Sequence, residues 1–453
     1  MSSSINLRYT LLITSVAALG GLLFGFDIAI ITGAAPFIQD FFRLKDLGLG
    51  WAVSALLWGC IPGAILAGKI TDAYGRRSIL MGVAFLFLIT SVATGIAPSI
   101  VYLIIARFFG GFAVGAASMV SPLYISEISP PGIRGRLVAL YQLSIVTGIL
   151  ISYLINYLLH DTGEDNWRWM FMSGAVPSLM FFILLFFVPE TPRFLYMHGD
   201  KKKSLEILTR IGGKEQADLI IRQIGESLKI KSTRFTLIFQ PGYRRMMWVG
   251  FGLAIFIQIS GINTIIDYAP IILRTAGWKI DVALFSTFII GSVNFIFTLV
   301  SLWAIDKFGR RPLYLLGSAG MALMLAGLTL ANLLDKFEGA VVLMFILVYI
   351  AFFAACIGPV FWTLISEIFP NRIRGMAMSI PVFTQWVFNA LVVLVFPWML
   401  NKAGGSFTFG FLALMAGLMF LFTLKYVPET KGKTLEEIEK YWLDKSGHKN
   451  IES

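Results

Sequence analysis

Two charged residues of opposite sign, Asp27 and Arg107, lie inside long apolar stretches of the sequence. A charge in the hydrocarbon core of a bilayer costs at least about 2.5–3.5 kcal/mol on insertion scales, so such residues tend to pair and to serve a function. A carboxylate that holds an arginine when ionised and releases it when protonated can couple proton binding to a conformational change. We therefore interpret the two residues as a candidate proton-coupling pair. The alternative is a permanent salt bridge that only fixes two helices together.

Other charged residues occur in three short blocks that appear twice, at offsets of 234, 240 and 239 residues. Ordered repeats of this kind predict two homologous six-helix bundles in the same orientation, which is a transporter architecture. The blocks are Asp72-x-x-Gly75-Arg76-Arg77 with Asp306-x-x-Gly309-Arg310-Arg311, Ser126-Glu127-Ile128 and Ile133-Arg134-Gly135 with Ser366-Glu367-Ile368 and Ile373-Arg374-Gly375, and Pro189-Glu190-Thr191 with Pro428-Glu429-Thr430.

The charged residues of these blocks are candidate gating residues. Where rigid halves rock around a central site, contacts at the closed face must form and break, and hydrogen-bonded ion pairs do this better than an apolar seam. The alternative is that the cations only fix the membrane topology. The candidates within the blocks are Asp72, Arg76, Glu127, Arg134, Glu190, Asp306, Arg310, Glu367, Arg374 and Glu429, and those just beyond the blocks are Arg136 and Arg193.

The elements that must position these residues are membrane helices. Of 453 residues, 57% are hydrophobic and only 14% are charged, whereas a soluble domain of this size needs far more charge at its surface. Stretches long enough to cross about 30 Å of hydrocarbon must be helices, because lipid offers no partner to backbone polar groups. Twelve such stretches occur: 11–35, 51–70, 79–97, 101–125, 137–159, 169–188, 247–273, 282–305, 313–333, 340–365, 376–400 and 406–427.

The net charge of +11 reflects membrane topology rather than nucleic-acid binding, because the cations concentrate in alternate loops. That asymmetry follows the positive-inside rule and places both termini and the long middle loop in the cytoplasm. The domain boundaries expected from this pattern are a first bundle over 1–190, a linker with amphipathic helices over 191–245, a second bundle over 246–428 and a tail helix over 429–453.

No enzymatic constellation is recognisable in the chain. The three histidines, His160, His198 and His448, fall in loops or in the tail, and we find no metal-ligand cluster, phosphate-binding loop or Ser/His pair. Cys60 and Cys356 lie inside separate predicted spans, which argues against a disulfide. We therefore expect no enzyme activity, no metal and no cofactor.

Several motifs make the sequence resemble the sugar porter family of the major facilitator superfamily, over essentially the whole chain from Gly20 to Glu437. The resemblance implies an all-α membrane protein with the major facilitator fold, in which two bundles enclose one monosaccharide and open alternately to each side. The motifs are Gly21-Leu-Leu-Phe-Gly25-Phe-Asp27, Pro189-Glu-Thr-Pro-Arg193-Phe, Gln258-x-Ser-Gly-x-Asn263, Gly358-Pro359-x-x-Trp362 and Pro428-Glu-Thr-Lys-Gly-Lys-Thr434.

Polar and aromatic residues inside the spans agree with a sugar substrate. A pyranose carries a ring of hydroxyls, which neutral amides bind as donors and acceptors, and its flat face stacks on aromatic rings. Helix breaks at Ser260-Gly261 and Gly358-Pro359 would expose backbone to such a ligand. The alternative is that each amide only joins helices. The candidate substrate-binding residues are Phe24, Gln142, Gln258, Asn263, Asn294, Trp362, Gln385, Trp386 and Asn389.

The seventh span departs from the family pattern. The family commonly has two consecutive glutamines where this chain has Ile257-Gln258, and a Tyr-Tyr or Phe-Tyr pair where it has Asp267-Tyr268. One expected sugar contact is missing and an additional carboxylate is present. A polyol, or a sugar with different hydroxyl stereochemistry, therefore stays open as the substrate.

The resemblance favours a proton symporter, because the symporters of the family carry Asp at the position of Asp27 and the animal facilitators a neutral residue. A facilitator of a sugar or polyol with the same fold is the first alternative, and a membrane sugar sensor a remote one. The expected partners are a monosaccharide, a proton and the lipid bilayer. We expect a monomer in the bacterial inner membrane, and the lack of an Asn-x-Ser/Thr sequence fits a bacterial source.

Overall fold

A computed structural model describes residues 6–130, 133–227, 241–369, 374–433, 437–438 and 441–442, except for the side chains of residues 69, 226–227, 241–242 and 374–376. Within these residues, 12 helices are long and apolar enough to cross a membrane, which confirms the predicted spans. Spans 1 to 12 are Leu7–Phe42, Asp46–Gly68, Arg76–Gly95, Ile100–Ile128, Arg134–Leu159, Asn166–Phe187, Tyr243–Asp267, Ile280–Phe308, Arg310–Leu333, Gly339–Ile368, Ala377–Ala403 and Gly405–Tyr426.

Short helices follow the sixth span. They cover Pro192–Met197, Lys201–Gly212 and Lys214–Ser227, and the hydroxyl of Ser204 ties the second to the first by donating to the Pro192 carbonyl oxygen at 2.8 Å. The helix expected in the tail falls almost entirely outside the described residues.

The chain divides into two compact units. The first consists of Met1–Phe42 with Ala55–Ser232, and the second of Arg43–Ser54 with Thr233–Ser453. The first turns of the second span therefore pack with residues that follow much later in the sequence, although the rest of that span belongs to the first unit.

In the first unit, neighbouring spans approach until their backbones touch. A Cβ atom on Gly25 would collide with the carbonyl oxygen of Ile145, and one on Gly148 with that of Leu22. Such close approach at small residues is how helices gain packing energy in a membrane, where lipid offers no hydrophobic drive. It fixes spans 1 and 5 against each other and sets the direction in which their other side chains point.

In the second unit, the seventh span is interrupted rather than continuous. Its helical segments are Pro241–Ile259 and Ile262–Asp267, and a further segment, Ala269–Thr275, follows. Gly261 between the first two adopts a left-handed conformation with φ of 88°, which an L side chain rarely adopts. The tenth span is similarly divided at Ile357, which lies between helices Gly339–Cys356 and Gly358–Ile368.

Candidate functional site

Asp27 and Arg107 form a buried ion pair in the first unit. Nη1 of Arg107 lies 3.0 Å from Oδ1 of Asp27 and donates a second hydrogen bond to the backbone carbonyl oxygen of Asp27, also at 3.0 Å. The side chain of Arg107 is 2% exposed and that of Asp27 is 16% exposed. Because an unpaired charge at this depth would be costly, each side chain depends on the other.

Arg107 also makes contacts other than its ion pair with the Asp27 carboxylate. Its guanidinium carbon lies 5.3 Å from the centre of the Phe171 ring, within reach of a cation–π interaction. A Cβ on Gly110, three residues after Arg107 on the fourth span, would lie 3.0 Å from Oδ2 of Asp27, so the carboxylate packs directly against that span. The contacts of Arg107 with the Asp27 carbonyl and with Phe171 do not require a negative charge on Asp27.

Phe24 and Gln142 lie on the spans that meet at the glycine contacts of the first unit. Phe24 precedes Asp27 by three residues on the first span, and both Phe24 and Gln142 are half-buried. Tyr141, beside Gln142, packs against Gly21, where a Cβ atom would lie 2.8 Å from the ring. The close packing of spans 1 and 5 therefore positions Phe24 and Gln142.

The interrupted seventh span carries two of the candidate amides on either side of its break. Nδ2 of Asn263 donates to Oε1 of Gln258 at 2.7 Å, so the two amides are oriented by each other. Gln258 is 4% exposed and Asn263 is half-buried. Asp267 closes the segment after the break and is 3% exposed.

The eleventh span presents two further amides one turn apart. Oε1 of Gln385 and Oδ1 of Asn389 are buried and have no hydrogen-bond partner among the described residues. Since buried polar atoms are nearly always hydrogen-bonded in native proteins, these oxygens point to a ligand or to water. Trp386 on the same span is 4% exposed and Asn294 on the eighth is 7% exposed.

Trp362 follows the break in the tenth span by a little more than one turn. Its side chain is 39% exposed, and its ring meets that of Phe361 edge to face at 5.4 Å. Pro359 stands in the first turn of the helix that carries Trp362, where its missing N–H costs no hydrogen bond.

The first copy of the repeated charge blocks folds into a cluster at the start of the third span. Nη2 of Arg76 lies 2.9 Å from Asp72 and donates to Glu127 at 3.0 Å. Glu190 accepts hydrogen bonds from the backbone N–H groups of Arg76 at 3.0 Å and of Arg77 at 3.0 Å. Burial raises the pKa of Glu190, and its backbone hydrogen bonds oppose that shift.

The second copy makes the corresponding contacts in the second unit, with a longer distance at its aspartate. Nη2 of Arg310 lies 2.9 Å from Glu367, and Glu429 accepts from the backbone N–H groups of Arg310 and Arg311, each at 3.1 Å. Asp306 lies 3.8 Å from Arg310 and is largely exposed. The third and ninth spans thus each have a glutamate carboxylate, Glu190 or Glu429, at the positive end of the helix dipole, where negative charge is favoured.

Each cluster contains a threonine that the sequence reasoning did not select. The hydroxyl of Thr191 donates to Glu127, and that of Thr430 to Glu367, each at 2.6 Å. The signal was present, because both threonines follow the glutamate in the repeated Pro-Glu-Thr block. Their hydrogen bonds link the second and third blocks of each half.

Three of the remaining gating candidates make no ion pair among the described residues. Arg136 and Arg193 are exposed. Arg134 is exposed too and makes a long hydrogen bond of 3.4 Å to the Ser129 carbonyl oxygen. The side chain of Arg374 lies outside the described residues.

Comparisons with known proteins agree on one family. The family model described as "Sugar (and other) transporter" matches residues 13–442. The chain is 38% identical over 450 residues to the arabinose-proton symporter of Bacillus subtilis, covering 98% of this chain and 97% of that protein. It is 39% identical over 482 residues to the D-xylose-proton symporter of Escherichia coli K12, with coverage of 98% and 97%.

A solved structure shows the same fold. The inward open conformation of the xylose transporter XylE from E. coli superimposes with a TM-score of 0.85 at 38% sequence identity, covering 95% of this chain and 99% of that one.

Proposed function

Because the chain belongs to the sugar transporter family, we propose that it imports a monosaccharide together with a proton by alternating access. The observation that carries the proton coupling is the buried pair of Asp27 and Arg107, whose charged atoms lie 3.0 Å apart. The arabinose and xylose relatives are named as proton symporters, which supports the same class of reaction here.

The coupling follows from the electrostatics of this pair. Ionised Asp27 holds the guanidinium of Arg107, which keeps its charge at every physiological pH. Protonation removes the charge that attracts Arg107, leaving the weaker contacts with the Asp27 carbonyl and with Phe171. Proton binding therefore lowers the cost of separating the first span from the fourth, and this permits the change from outward-facing to inward-facing.

We assign sugar binding to the amides and aromatic residues of the spans. Gln258 and Asn263 fix each other and retain hydrogen-bonding capacity for hydroxyls. Gln385 and Asn389 offer acceptor oxygens that have no partner among the described residues. In the first unit the assignment is to Phe24 and Gln142. In the second unit the assignment covers Gln258, Asn263, Gln385, Asn389, Asn294, Trp362 and Trp386.

The Gln142→Ala and Gln258→Ala variants are expected to weaken sugar binding. Removing an amide that bonds hydroxyls leaves unmatched polar groups, which costs about 1–3 kcal/mol, or roughly 5- to 150-fold in affinity. Isothermal titration of purified variants measures the effect. The matched control is Gln223→Ala, because Gln223 is exposed on a linker helix. Unchanged affinity in both variants would remove these residues from the site.

The Asp267→Tyr variant is expected to change sugar preference and to leave proton dependence intact. Asp267 is buried at the end of a short segment of the seventh span, where the family pattern has an aromatic residue, so we assign it to access or selectivity. Competition among labelled xylose, glucose, galactose, arabinose and myo-inositol, in cells lacking their own porters, gives the preference. Collapse of accumulation would instead place Asp267 on the proton path.

We further propose that the protein transports its substrate as a monomer. We also propose that both termini and the linker helices face the cytoplasm of a bacterium. Cys60 and Cys356 are buried, so introduced cysteines can be labelled over a low background. A membrane-impermeant thiol reagent should reach Glu164→Cys in intact cells and Lys202→Cys only after permeabilisation. The reverse pattern would contradict this orientation.

A further inference from the structure

The hydroxyl of Tyr349 reaches from the tenth span to the break in the seventh. It donates a hydrogen bond to the backbone carbonyl oxygen of Ser260 at 3.0 Å. Both residues are 0% exposed. Ser260 immediately precedes Gly261, whose left-handed conformation interrupts the helix.

The break reroutes the backbone hydrogen bonds that a continuous helix would make. The N–H of Gly261 turns back to the Gln258 carbonyl at 3.0 Å, and the next helical segment begins when the N–H of Ile265 bonds the Gly261 carbonyl at 2.9 Å. Carbonyls at a helix end need other donors. Side chains supply them here: Oγ of Ser260 bonds the Ile257 carbonyl at 2.8 Å, and Tyr349 bonds that of Ser260.

The hydroxyl of Tyr349 therefore fixes the turn that carries two candidate sugar ligands. Gln258 lies two residues before Ser260, and Asn263 lies three residues after it. Their mutual hydrogen bond of 2.7 Å spans the break, so it depends on the conformation of the residues between them. A shift of the Ser260 carbonyl would alter the distance and orientation of the two amides together.

We propose that Tyr349 is a positioning residue of the sugar site, which it serves without touching the sugar by holding the break that orients Gln258 and Asn263. This inference rests on the proposed function of the two amides. Tyr349 then affects sugar affinity although it is buried in the tenth span and does not contact the sugar.

The chain offers a matched control in Tyr314. That residue is also 0% exposed and lies on a span of the same unit, but its hydroxyl has no hydrogen-bond partner among the described residues. Replacing either tyrosine by phenylalanine removes one buried oxygen and keeps the ring. Only the Tyr349→Phe variant also removes the donor that satisfies a carbonyl at the break.

The first measurement is sugar affinity by isothermal titration with the best substrate from the competition assay. We expect Tyr349→Phe to bind it about tenfold more weakly and Tyr314→Phe to bind it as the wild type does. Equal affinity of Tyr349→Phe and wild type would overturn the inference. A Tyr349→Phe protein that cannot be purified in folded form would overturn it too, since the hydroxyl would then be a requirement of folding.

The second measurement separates positioning from a general structural role by a double-variant cycle. If Tyr349 acts by orienting Gln258 and Asn263, the affinity loss of the Gln258→Ala/Tyr349→Phe protein is smaller than the product of the two single losses. Multiplication of the two losses would show that Tyr349 acts independently of Gln258 and would overturn the inference. Unchanged affinity in Gln258→Ala would instead overturn the proposed sugar site, so the two failures are distinguishable.

Discussion

The Asp27→Asn variant is expected to exchange sugar across the membrane without accumulating it. Asparagine has the shape of a protonated aspartic acid but does not titrate, so the variant mimics one state of the carrier permanently. Its amide oxygen can still accept from Arg107, which also keeps its contacts with the backbone carbonyl of residue 27 and with Phe171. Sugar binding and counterflow should therefore persist, while uptake driven by a pH gradient falls to background.

Counterflow and gradient-driven uptake, measured side by side in proteoliposomes, decide between coupling and a merely structural salt bridge. Under the structural alternative, Asp27→Asn is unstable or loses binding and exchange as well. The control is Asp161→Asn, because Asp161 is exposed in a loop and should accumulate sugar normally. Persistent accumulation by Asp27→Asn would move the proton site elsewhere, with Glu127 the next candidate.

The second large effect is expected from Arg76→Ala. The side chain of Arg76 is 4% exposed and that of its partner Glu127 is 8% exposed, so the variant leaves a buried carboxylate without its counter-charge. Breaking one side of a buried pair costs about 3–5 kcal/mol, whereas the pair with the exposed Asp72 adds little. We expect a lower melting temperature in detergent and a transport rate below a tenth of that of the wild type.

A second substitution tests whether the unpaired charge is the cause. In Arg76→Ala/Glu127→Gln no buried charge is left unpaired, so part of the lost stability should return. The control Arg193→Ala removes an exposed arginine and should melt as the wild type does. If Arg76→Ala leaves melting temperature and transport unchanged, the cluster has neither a structural nor a gating role. If stability returns in the double variant but transport stays slow, the pair also acts in gating.

The twelve spans and the two copies of the charge blocks could be read from the sequence because both are local signals. A run of about 20 apolar residues has no stable alternative to a helix in lipid. Gly261 and Gly358-Pro359 were likewise recognisable as helix breaks, because glycine and proline act on the backbone at their own positions. The same holds for the types of the candidate site residues, whose chemistry is independent of the fold.

Only the tertiary structure decided which of these residues meet. Arg76 lies 51 positions before Glu127 and 114 positions before Glu190 in the sequence. Helix periodicity therefore does not predict that either glutamate contacts Arg76. The same is true of Tyr349 and Ser260, which are separated by 89 positions, and of residues 43–54, which pack with the second unit. Such contacts depend on how helices approach one another, as spans 1 and 5 do where their backbones touch at Gly25. A sequence specifies those surfaces, but their pairing is settled only when the helices pack together.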